Sequence, residues 1–328
     1  MKKNIWCKGN GKGRRKGEWR KKGIAIEKKH KVRKKKHSLT NVSFGDIVGL
    51  WAKVQHEGRG KMKDSHYLEV RNKTVTKANE LIQKSRFSLS LLQQKIVLYL
   101  ISQISPYDDD FKIYEFSIQE FCRVCGIDES SGKNYSALKE AIKEVADKSL
   151  WITIDEDEET LLRWIEKPYI NKKDGVIKIR LDNDMMPFLL QLKQNFTSYE
   201  LIWTLHFKSK YTIRLYELIK SVHFHSLDPY DRIYTLEKLK RLLGAETYKT
   251  YQTFKERVLK RAVQEINEYS DKNLRYEVIK SGRSVSKIKF SISSKDSLEA
   301  AKIRSDIEKE LGMDQLTLWD KLENSGLV

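Results

Sequence analysis

Apolar and polar positions in the body of the chain follow the same order twice, about 117 residues apart. Three pairs of segments carry this repeat: Lys95–Ile101 with Thr212–Leu218, Phe116–Ile127 with Tyr234–Ala245, and Tyr135–Leu150 with Tyr251–Ile266. Their offsets of 117, 118 and 116 residues keep both the order and the spacing. An internal repeat of this kind predicts two copies of one structural unit.

A short helix with defined ends is predicted in each copy, after an opening helix with apolar periodicity. In the first copy, Ser117 with Glu120 three positions later has the pattern of a capping box. In the second copy, Thr235 stands in the same position as a plain N-cap. Gly126 and Gly244 follow the two helices, and glycine there favours a left-handed C-cap.

A longer helix and a pair of strands complete each copy. In the second copy the apolar stripe of this helix consists of Phe254, Val258, Ala262 and Ile266, which are spaced by four. The segments RYEVI and SKIKFSIS follow as strands, and LWITI, LLRWIEKPYI and VIKIRL do so in the first copy. The pattern predicts an α+β chain with two tandem winged helix-turn-helix domains, at residues 70–183 and 184–294.

The charge of the chain is concentrated at its N-terminus. The total is +19, and Met1–Lys61 holds 20 Lys/Arg against 4 Asp/Glu, which leaves only +3 for the remainder. This glycine-rich basic segment has no apolar periodicity and is predicted to be a disordered arm. Three interpretations stay open: a non-specific nucleic-acid arm, an exposed tail without a partner, or a segment upstream of a true start at Met62.

The remaining composition indicates a cytoplasmic protein that does not enter a membrane. No run approaches the roughly 18 apolar residues of a membrane span, and the N-terminus lacks the apolar core of a signal peptide. The three cysteines, Cys7, Cys122 and Cys125, are too few for a disulfide framework. We expect a reducing cytoplasm.

Charge also separates the two copies. From Glu246 to Phe290 there are 11 Lys/Arg and 6 Asp/Glu, whereas Lys133–Asp182 has 10 and 11. The first copy includes the acidic run Asp155–Glu159, which would repel phosphate. Since affinity for duplex DNA comes largely from cations that neutralise phosphates, the second copy is the predicted DNA reader. The first copy is then predicted to be an interaction module.

Three groups of side chains in the second copy are candidate DNA contacts. Those on the outward face of the long helix can reach base edges, those on the preceding helix add positive charge, and those on the wing can touch phosphate or the minor groove. The residues are, in that order, Lys249, Thr250, Thr253, Glu256, Arg257 and Lys260; Lys208, Lys210 and Arg214; and Arg283, Ser284 and Lys287. The alternative is an ordinary solvated surface.

The Cys122-x-x-Cys125 motif invites a zinc or redox interpretation, which the sequence does not favour. A structural zinc site needs four ligands, and no second pair follows. In the repeat, Cys122 and Cys125 align with Lys240 and Leu243, so we expect one surface and one core position. No metal, cofactor or catalytic residue is predicted.

His223 and His225 allow a different function, that of a rolling-circle nicking enzyme. Two histidines that flank one hydrophobic residue could share a cation, with Tyr248 or Tyr251 as the nucleophile. On a strand the two imidazoles would lie on one side, but here they follow an amphipathic helix. Nicking therefore stays the enzymatic alternative, and a plain transcriptional repressor is the alternative among DNA-binding proteins.

Three motifs resemble one known family, the iteron-binding, theta-type plasmid replication initiators. They are NKTVTKANELIQ, SKYTIRLYELIKS and YQTFKERVLKRAVQEINEYSDKNLRYEVIKSGR, and the resemblance spans about Val75 to Ser293. It implies a protein that binds repeated sites at a plasmid origin as a monomer and helps to melt adjacent DNA. It also implies recruitment of the host initiator and the replicative helicase, and autorepression as a homodimer through the first winged helix.

The same resemblance suggests which helix positions read bases. Members of the family carry a base-reading arginine early in the second recognition helix, where this chain has Thr250, and another near Glu256–Arg257. The departure at Thr250 bears on which sequence is bound. The family has no catalytic residues of its own.

The C-terminal segment 295–328 contains the motif QLTLW, at Gln315, Leu316, Thr317, Leu318 and Trp319. It resembles the short peptide by which bacterial replication proteins dock on the polymerase sliding clamp. In that mode two apolar side chains fill a pocket and the glutamine hydrogen-bonds at its rim. The alternative is that the leucines and Trp319 pack the end of a helix against the body.

Overall fold

The computed structural model describes residues 66–105, 107–127, 132–222 and 228–324, with 132–134 and 312–324 as backbone alone. The predicted basic arm, residues 1–61, lies outside these ranges. Within them the chain contains two helix-turn-helix units, each followed by a β-hairpin, and a long C-terminal helix. The predicted α+β architecture of two tandem winged helices is therefore present.

The first winged helix comprises eleven elements. They are β1 (Thr74–Ala78), α1 (Asn79–Lys84), β2 (Ser85–Arg86), α2 (Leu91–Ser102), β3 (Tyr114–Ser117), α3 (Ile118–Cys125), α4 (Gly132–Asp147), β4 (Ser149–Thr153), β5 (Glu159–Arg163), β6 (Tyr169–Asn171) and β7 (Val176–Ile179). The sequence predicts one wing here, but the strands form two sheets, in the orders β2–β4–β5 and β3–β7–β6. Pro168 lies between β5 and β6 and has no N–H for a strand ladder, which separates the two hairpins.

The second winged helix follows a short connection that contains α5 (Met186–Leu189). Its elements are β8 (Phe196–Glu200), α6 (Ile202–Leu205), α7 (Lys210–Lys220), β9 (Tyr230–Thr235), α8 (Leu236–Leu243), α9 (Tyr251–Phe254), a π-helical turn (Lys255–Leu259), α10 (Lys260–Tyr269), β10 (Lys272–Ser281) and β11 (Ser284–Ser294). Three of its four strands form one sheet in the order β10–β11–β9, and the fourth, β8, pairs with β1 of the first winged helix. A single wing, as predicted, thus extends from this copy.

The short helices α3 and α8 have the ends that the sequence predicts, with one exception. Ser117 accepts the N–H of Glu120 at 2.9 Å, and Thr235 accepts that of Lys238 at 3.2 Å. Both helices end at a left-handed glycine, with φ 62° and 64°. The reciprocal half of the predicted capping box is absent, because the Glu120 carboxylate accepts the Tyr99 hydroxyl at 3.0 Å instead.

The long helix of the second copy, residues 251–269, contains one inserted residue relative to α4, the long helix of the first copy. The buried positions of α4 are Leu138, Ala141, Ile142 and Val145, and those of the second copy are Phe254, Val258, Leu259 and Ala262. The first pair is 116 residues apart and the other three are 117 apart, so the uniform offset predicted from sequence is wrong beyond Phe254. The π turn accommodates the extra residue, since Lys260 N–H donates to Lys255 O and widens one turn.

A buried charged cluster lies between the two helix-turn-helix units. Lys77 on β1 donates to Glu217 on α7 at 2.6 Å, and the Tyr199 hydroxyl donates to the same carboxylate oxygen at 2.6 Å. The side chains of Lys77 and Glu217 are only 4% and 1% exposed. Burial alone would raise the pKa of Glu217, but the charges of Lys77 and Arg214 outweigh it and lower the pKa. The Glu217 carboxylate therefore stays ionised inside the protein, whereas burial lowers the pKa of Lys77 despite its pairing with Glu217.

The C-terminal helix α11 (Ser297–Asn324) packs back onto both copies. Ile307 and Leu311 are buried, and Leu311 occupies the space beside Gly126 where a Cβ would stand. Arg304 pairs with Glu200 and lies over the Trp203 ring at 5.2 Å. The helix thus fixes the end of α3 to the connection before α7.

Candidate nucleic-acid interface

The helix that spans residues 251–269, called the recognition helix below, has one buried and one exposed face. The predicted stripe of Phe254, Val258, Ala262 and Ile266 is confirmed, with all four side chains fully buried. Because an α-helix has about 3.6 residues per turn, a spacing of four drifts by about 40° at each step. The π turn removes part of this drift and holds the stripe toward the core.

The opposite face presents the candidate base contacts to solvent. Exposed positions on and just before the helix are Lys249, Thr250, Gln252, Thr253, Glu256, Arg257 and Lys260. Thr250 is the N-cap, accepts the N–H of Thr253 at 3.1 Å, and its hydroxyl lies 2.9 Å from that of Thr253. Glu256 and Lys260 approach each other at 3.6 Å. Several of these side chains are therefore held by local contacts.

Arg257 owes its exposure to the extra residue in the helix. With a uniform offset of 116 it would align with Ala141, which is buried in the first copy. The π turn moves the buried position to Val258 and leaves Arg257 on the surface. Its guanidinium makes no ion pair with any described residue, so its donors are available to a ligand.

Arg214 does not belong to this surface, which corrects its assignment as a candidate DNA contact. The side chain is only 6% exposed and donates to the carbonyl oxygens of Leu242 and Ile82 at 3.2 and 3.3 Å. Its guanidinium carbon also lies 4.4 Å from the Phe87 ring centroid. Arg214 joins α7 to α8 and α1, because its Nε and Nη2 groups donate to backbone carbonyls inside the protein.

The two lysines predicted on the helix before the recognition helix lie near the surface at the start of α7. Lys208 is exposed, and its backbone N–H donates to Glu265 at 3.2 Å. The Lys210 ammonium lies 5.1 Å from the Tyr211 ring centroid. Glu265 also accepts the hydroxyl of Thr212 at 2.7 Å, so the start of α7 is fixed against the recognition helix.

The wing carries the remaining candidates at its tip. β10 and β11 pair from Lys272↔Ser294 to Ser281↔Ser284, whereas β9 pairs only with Lys287–Ile292. Residues 279–286 therefore extend as a two-stranded arm, and the turn uses Gly282 at φ 60°. Arg283, Ser284 and Lys287 are exposed there. The sequence list omits Arg275 and Lys280, which are exposed on β10. Strand alternation would have identified Arg275, whereas Lys280 lies beyond a register shift between Ile279 and Lys280.

The corresponding surface of the first copy is charged differently. On α4, Lys143 pairs with Glu140 at 3.1 Å, and Lys148 pairs with Glu144 at 2.7 Å. The turn between β4 and β5 contains the acidic run Asp155–Glu159, and all five residues are exposed. Positive charge is thus neutralised locally in this copy, and an accumulation of cations occurs in the second.

Models of known protein families match both copies, and the first match extends beyond the predicted boundary at residue 183 to the end of α7. A model described as "Initiator Replication protein, WH1" matches residues 74–220, and one described as "Initiator Rep protein, WH2" matches residues 235–292. The chain belongs to this family of replication initiators. The family membership expected from the three sequence motifs is confirmed.

A solved structure shares the fold of this initiator. It is described as "Crystal structure of Pi initiator protein in complex with iteron DNA", and it is 20% identical in sequence. The match has a TM-score of 0.57 and covers 69% of this chain and 99% of that chain. At this identity the likeness establishes the architecture of two winged helices.

The cysteine pair of the initiator is structural. Both thiols are buried, and burial raises the pKa of Cys125 to about 12, so this thiol stays protonated at neutral pH. The expected surface position of Cys122 is wrong, because α11 and the segment around Arg71 pack onto α3. In the described ranges, no three His, Cys, Asp or Glu side chains are grouped to hold a metal ion.

Two sequence motifs fall outside the described side chains. His223 and His225 lie in the gap at 223–227, so the nicking alternative stays a prediction. The side chains of Gln315, Leu316, Leu318 and Trp319 are also outside the description, although their backbone continues α11 as a helix. Of the helices that are described, none is both long and apolar enough to cross a bilayer.

Proposed function

We propose that this initiator binds repeated sites in double-stranded origin DNA, the iterons, through its second winged helix. The observation that carries the proposal is the exposed, unpaired Arg257 on a recognition helix whose opposite face is fully buried. An arginine in this position can bind both acceptors of a guanine in the major groove. The Pi initiator, which has the same fold, was solved with iteron DNA, and this supports the proposal.

The other exposed cations serve affinity and orientation. Arg283, Ser284 and Lys287 on the wing contact phosphates or the adjacent minor groove, and Lys208 and Lys210 contact the backbone beside α7. Such contacts fix the register of the protein on DNA but carry no sequence information by themselves. The base readers are Lys249, Thr250, Thr253, Glu256, Arg257 and Lys260.

The test is fluorescence anisotropy of the full chain with DNA that flanks its own gene and with a scrambled duplex, across a salt series. Sequence-specific binding predicts a preference for the flanking DNA that persists as salt rises. Equal and steeply salt-dependent binding to both duplexes would contradict the proposal. The same titration with residues 62–328 measures what the basic arm adds.

We further infer that the first winged helix forms a homodimer, in which state the initiator represses its own gene. Trp151 and Leu161 are cross-strand partners on β4 and β5, and they are 46% and 50% exposed. β5 is also the edge of its sheet, and an exposed apolar edge favours strand pairing with another chain. A Leu161→Asp variant should sediment as a monomer, whereas Tyr107→Asp, at another exposed position, should not change the association.

Origin opening and recruitment of the host initiator and replicative helicase complete the proposed role. The QLTLW motif of Gln315, Leu316, Leu318 and Trp319 is proposed to dock on the sliding clamp as an extended peptide. Since α11 is helical through this motif, docking requires its last turns to unwind. A tail peptide with Leu318→Ala and Trp319→Ala should lose binding to purified clamp, and equal binding of both peptides would refute this role.

The initiator is proposed to act without catalysis of its own. A relaxation assay on supercoiled origin DNA with Mg²⁺ or Mn²⁺ tests this, because a nicking initiator would relax the plasmid. Relaxation that is lost in a His223→Ala/His225→Ala variant would instead establish the enzymatic alternative.

A further inference from the structure

Gln252 occupies an unusual position in the first turn of the recognition helix. It follows the N-cap Thr250 by two residues, and its side chain is exposed. Two residues along an α-helix correspond to a rotation of about 200°, so Gln252 points away from the fully buried Phe254. The side chain opposite the core contact of a recognition helix is the one that faces the groove.

Neighbouring polar side chains are held by contacts within the protein. The hydroxyls of Thr250 and Thr253 lie 2.9 Å apart, and Glu256 approaches Lys260 at 3.6 Å. The carboxamide of Gln252 makes no hydrogen bond to any described residue. It therefore keeps a complete donor and acceptor pair available for a ligand.

The extra residue of the second copy places Gln252 in line with the charged part of the helix. Over four residues the widened turn reduces the angular drift, so Gln252, Glu256 and Lys260 follow one another on the exposed face. Lys260 offsets the charge of Glu256, which lowers repulsion between this face and phosphate. Recognition helices contact base edges mainly through their N-terminal residues, which is where Gln252 lies.

We propose that Gln252 is a specificity-determining residue that reads an adenine in the repeated site. In the major groove its Nε2 would donate to adenine N7 and its Oε1 would accept from the adenine N6 amino group. This inference rests on the proposed binding of origin repeats by the second winged helix. It assigns a base to a side chain that neither the sequence pattern nor the position of the arginines identifies.

The experiment scans the bound repeat with 7-deazaadenine, which removes the N7 acceptor and preserves base pairing. The full-length wild type should lose affinity at one adenine, and replacing that A·T pair should cost about 10- to 100-fold. Gln252→Ala should be insensitive to both changes at that position. Gln252→Glu should change the preference there toward cytosine, because a carboxylate accepts from the cytosine amino group.

The matched control is Gln264→Ala, which truncates an exposed glutamine three turns further along the same helix. The affinity of this variant should respond to each 7-deazaadenine substitution as that of the wild type does. If the scans of Gln252→Ala and wild type coincide while both still prefer the repeat, the inference is overturned and the proposed function stands. If the wild type shows no preference for the repeat, the proposed function fails, and the assignment of Gln252 fails with it.

Discussion

The two winged helices share one architecture but expose opposite surfaces. The hairpin β4–β5 of the first presents Trp151 and Leu161 beside the acidic run Asp155–Glu159. The hairpin β10–β11 of the second presents Arg283 and Lys287. The buried positions determine the fold, so the exposed positions can differ between the copies. They give the first copy an apolar and acidic surface and the second copy a basic one.

A second difference lies within the long helices rather than on the wings. α4 buries its core face at the regular spacings of three and four, whereas the recognition helix needs a π turn to do so. The inserted residue separates the first turn, with Gln252 and Thr253, from the part that begins at Arg257. Turns of this type are frequent at functional sites, and among the described residues this one lies in the copy that is proposed to read DNA.

The largest expected effect comes from removing the inserted residue. After deletion of Lys255, the buried residues would lie three, four and seven positions after Phe254, which is the spacing of the buried residues of α4. The helix should therefore become a regular α-helix like α4. The first turn would then rotate by about 100° relative to Arg257. We expect specific binding to fall about 1000-fold, toward the non-specific level.

Stability distinguishes this effect from unfolding. The urea concentration at the midpoint of unfolding should be at least as high for the deletion variant as for the wild type, because the packing pattern becomes regular. Lys255→Ala, which keeps the length of the helix, is the control and should retain the preference for the repeat. Specific binding by the deletion variant at the wild-type level would mean that the π turn serves packing alone.

The next largest effect concerns the buried ion pair between Lys77 on β1 and Glu217 on α7, which joins the two copies. Glu217→Ala leaves Lys77 buried without its counter-charge, and we expect a loss of about 3–5 kcal/mol in the free energy of unfolding. Lys77→Met/Glu217→Leu removes both charges and should recover most of this loss. Thermal or urea denaturation measures both variants, and equal destabilisation of the two would show that the unpaired charge of Lys77 does not cause the loss.

The pH dependence of this pair has a defined sign. The pKa of Glu217 is lowered below its usual value of 4.5 in the folded protein. The stabilisation is therefore complete above the unfolded pKa and is lost as the pH falls through the folded pKa. Denaturation should become easier in this acidic range by more for the wild type than for the double variant, which lacks Glu217 but keeps the lowered pKa values of Asp271 and Asp108.

The sequence predicts buried features well because they follow from spacing. The stripe of Phe254, Val258, Ala262 and Ile266 and the glycine ends of α3 and α8 are all present in the structure. Each of these depends on local periodicity or on backbone conformation, which the residue type determines directly. The family could also be predicted from the sequence, because the three motifs that indicate it are local segments of the chain.

Three features could not be read from the sequence because they depend on distant contacts. Arg214 is buried by backbone carbonyls of α1 and α8, which lie 132 and 28 residues away. Cys122 is covered by elements outside the repeat. The inserted residue could not be predicted because the sequences of the two long helices can be aligned without a gap. The change of offset becomes visible only when the structure shows that Ala141 and Val258 occupy equivalent buried positions.

Truncation of the exposed arginine gives a smaller effect than the deletion. Arg257→Ala should weaken binding to the repeat by about 5- to 150-fold, the range of one bidentate contact to guanine. Binding to a scrambled duplex should change much less. Lys139→Ala removes an exposed cation from α4 in the first copy and is the control. It should leave both affinities unchanged, as anisotropy titrations can establish.

The smallest expected effect concerns the wing. Lys287 is exposed near the tip of β11, and a phosphate contact there releases about one counterion, so Lys287→Ala should lower the slope of log affinity against log salt by about one. Repeat and scrambled DNA should be affected alike, because phosphates carry no sequence. Lys178→Ala, on β7 of the first copy and paired with Glu115 at 2.8 Å, should leave the slope unchanged. A lower slope in both variants would mean that the first winged helix also lies on the DNA, and the division of roles between the copies would then not hold.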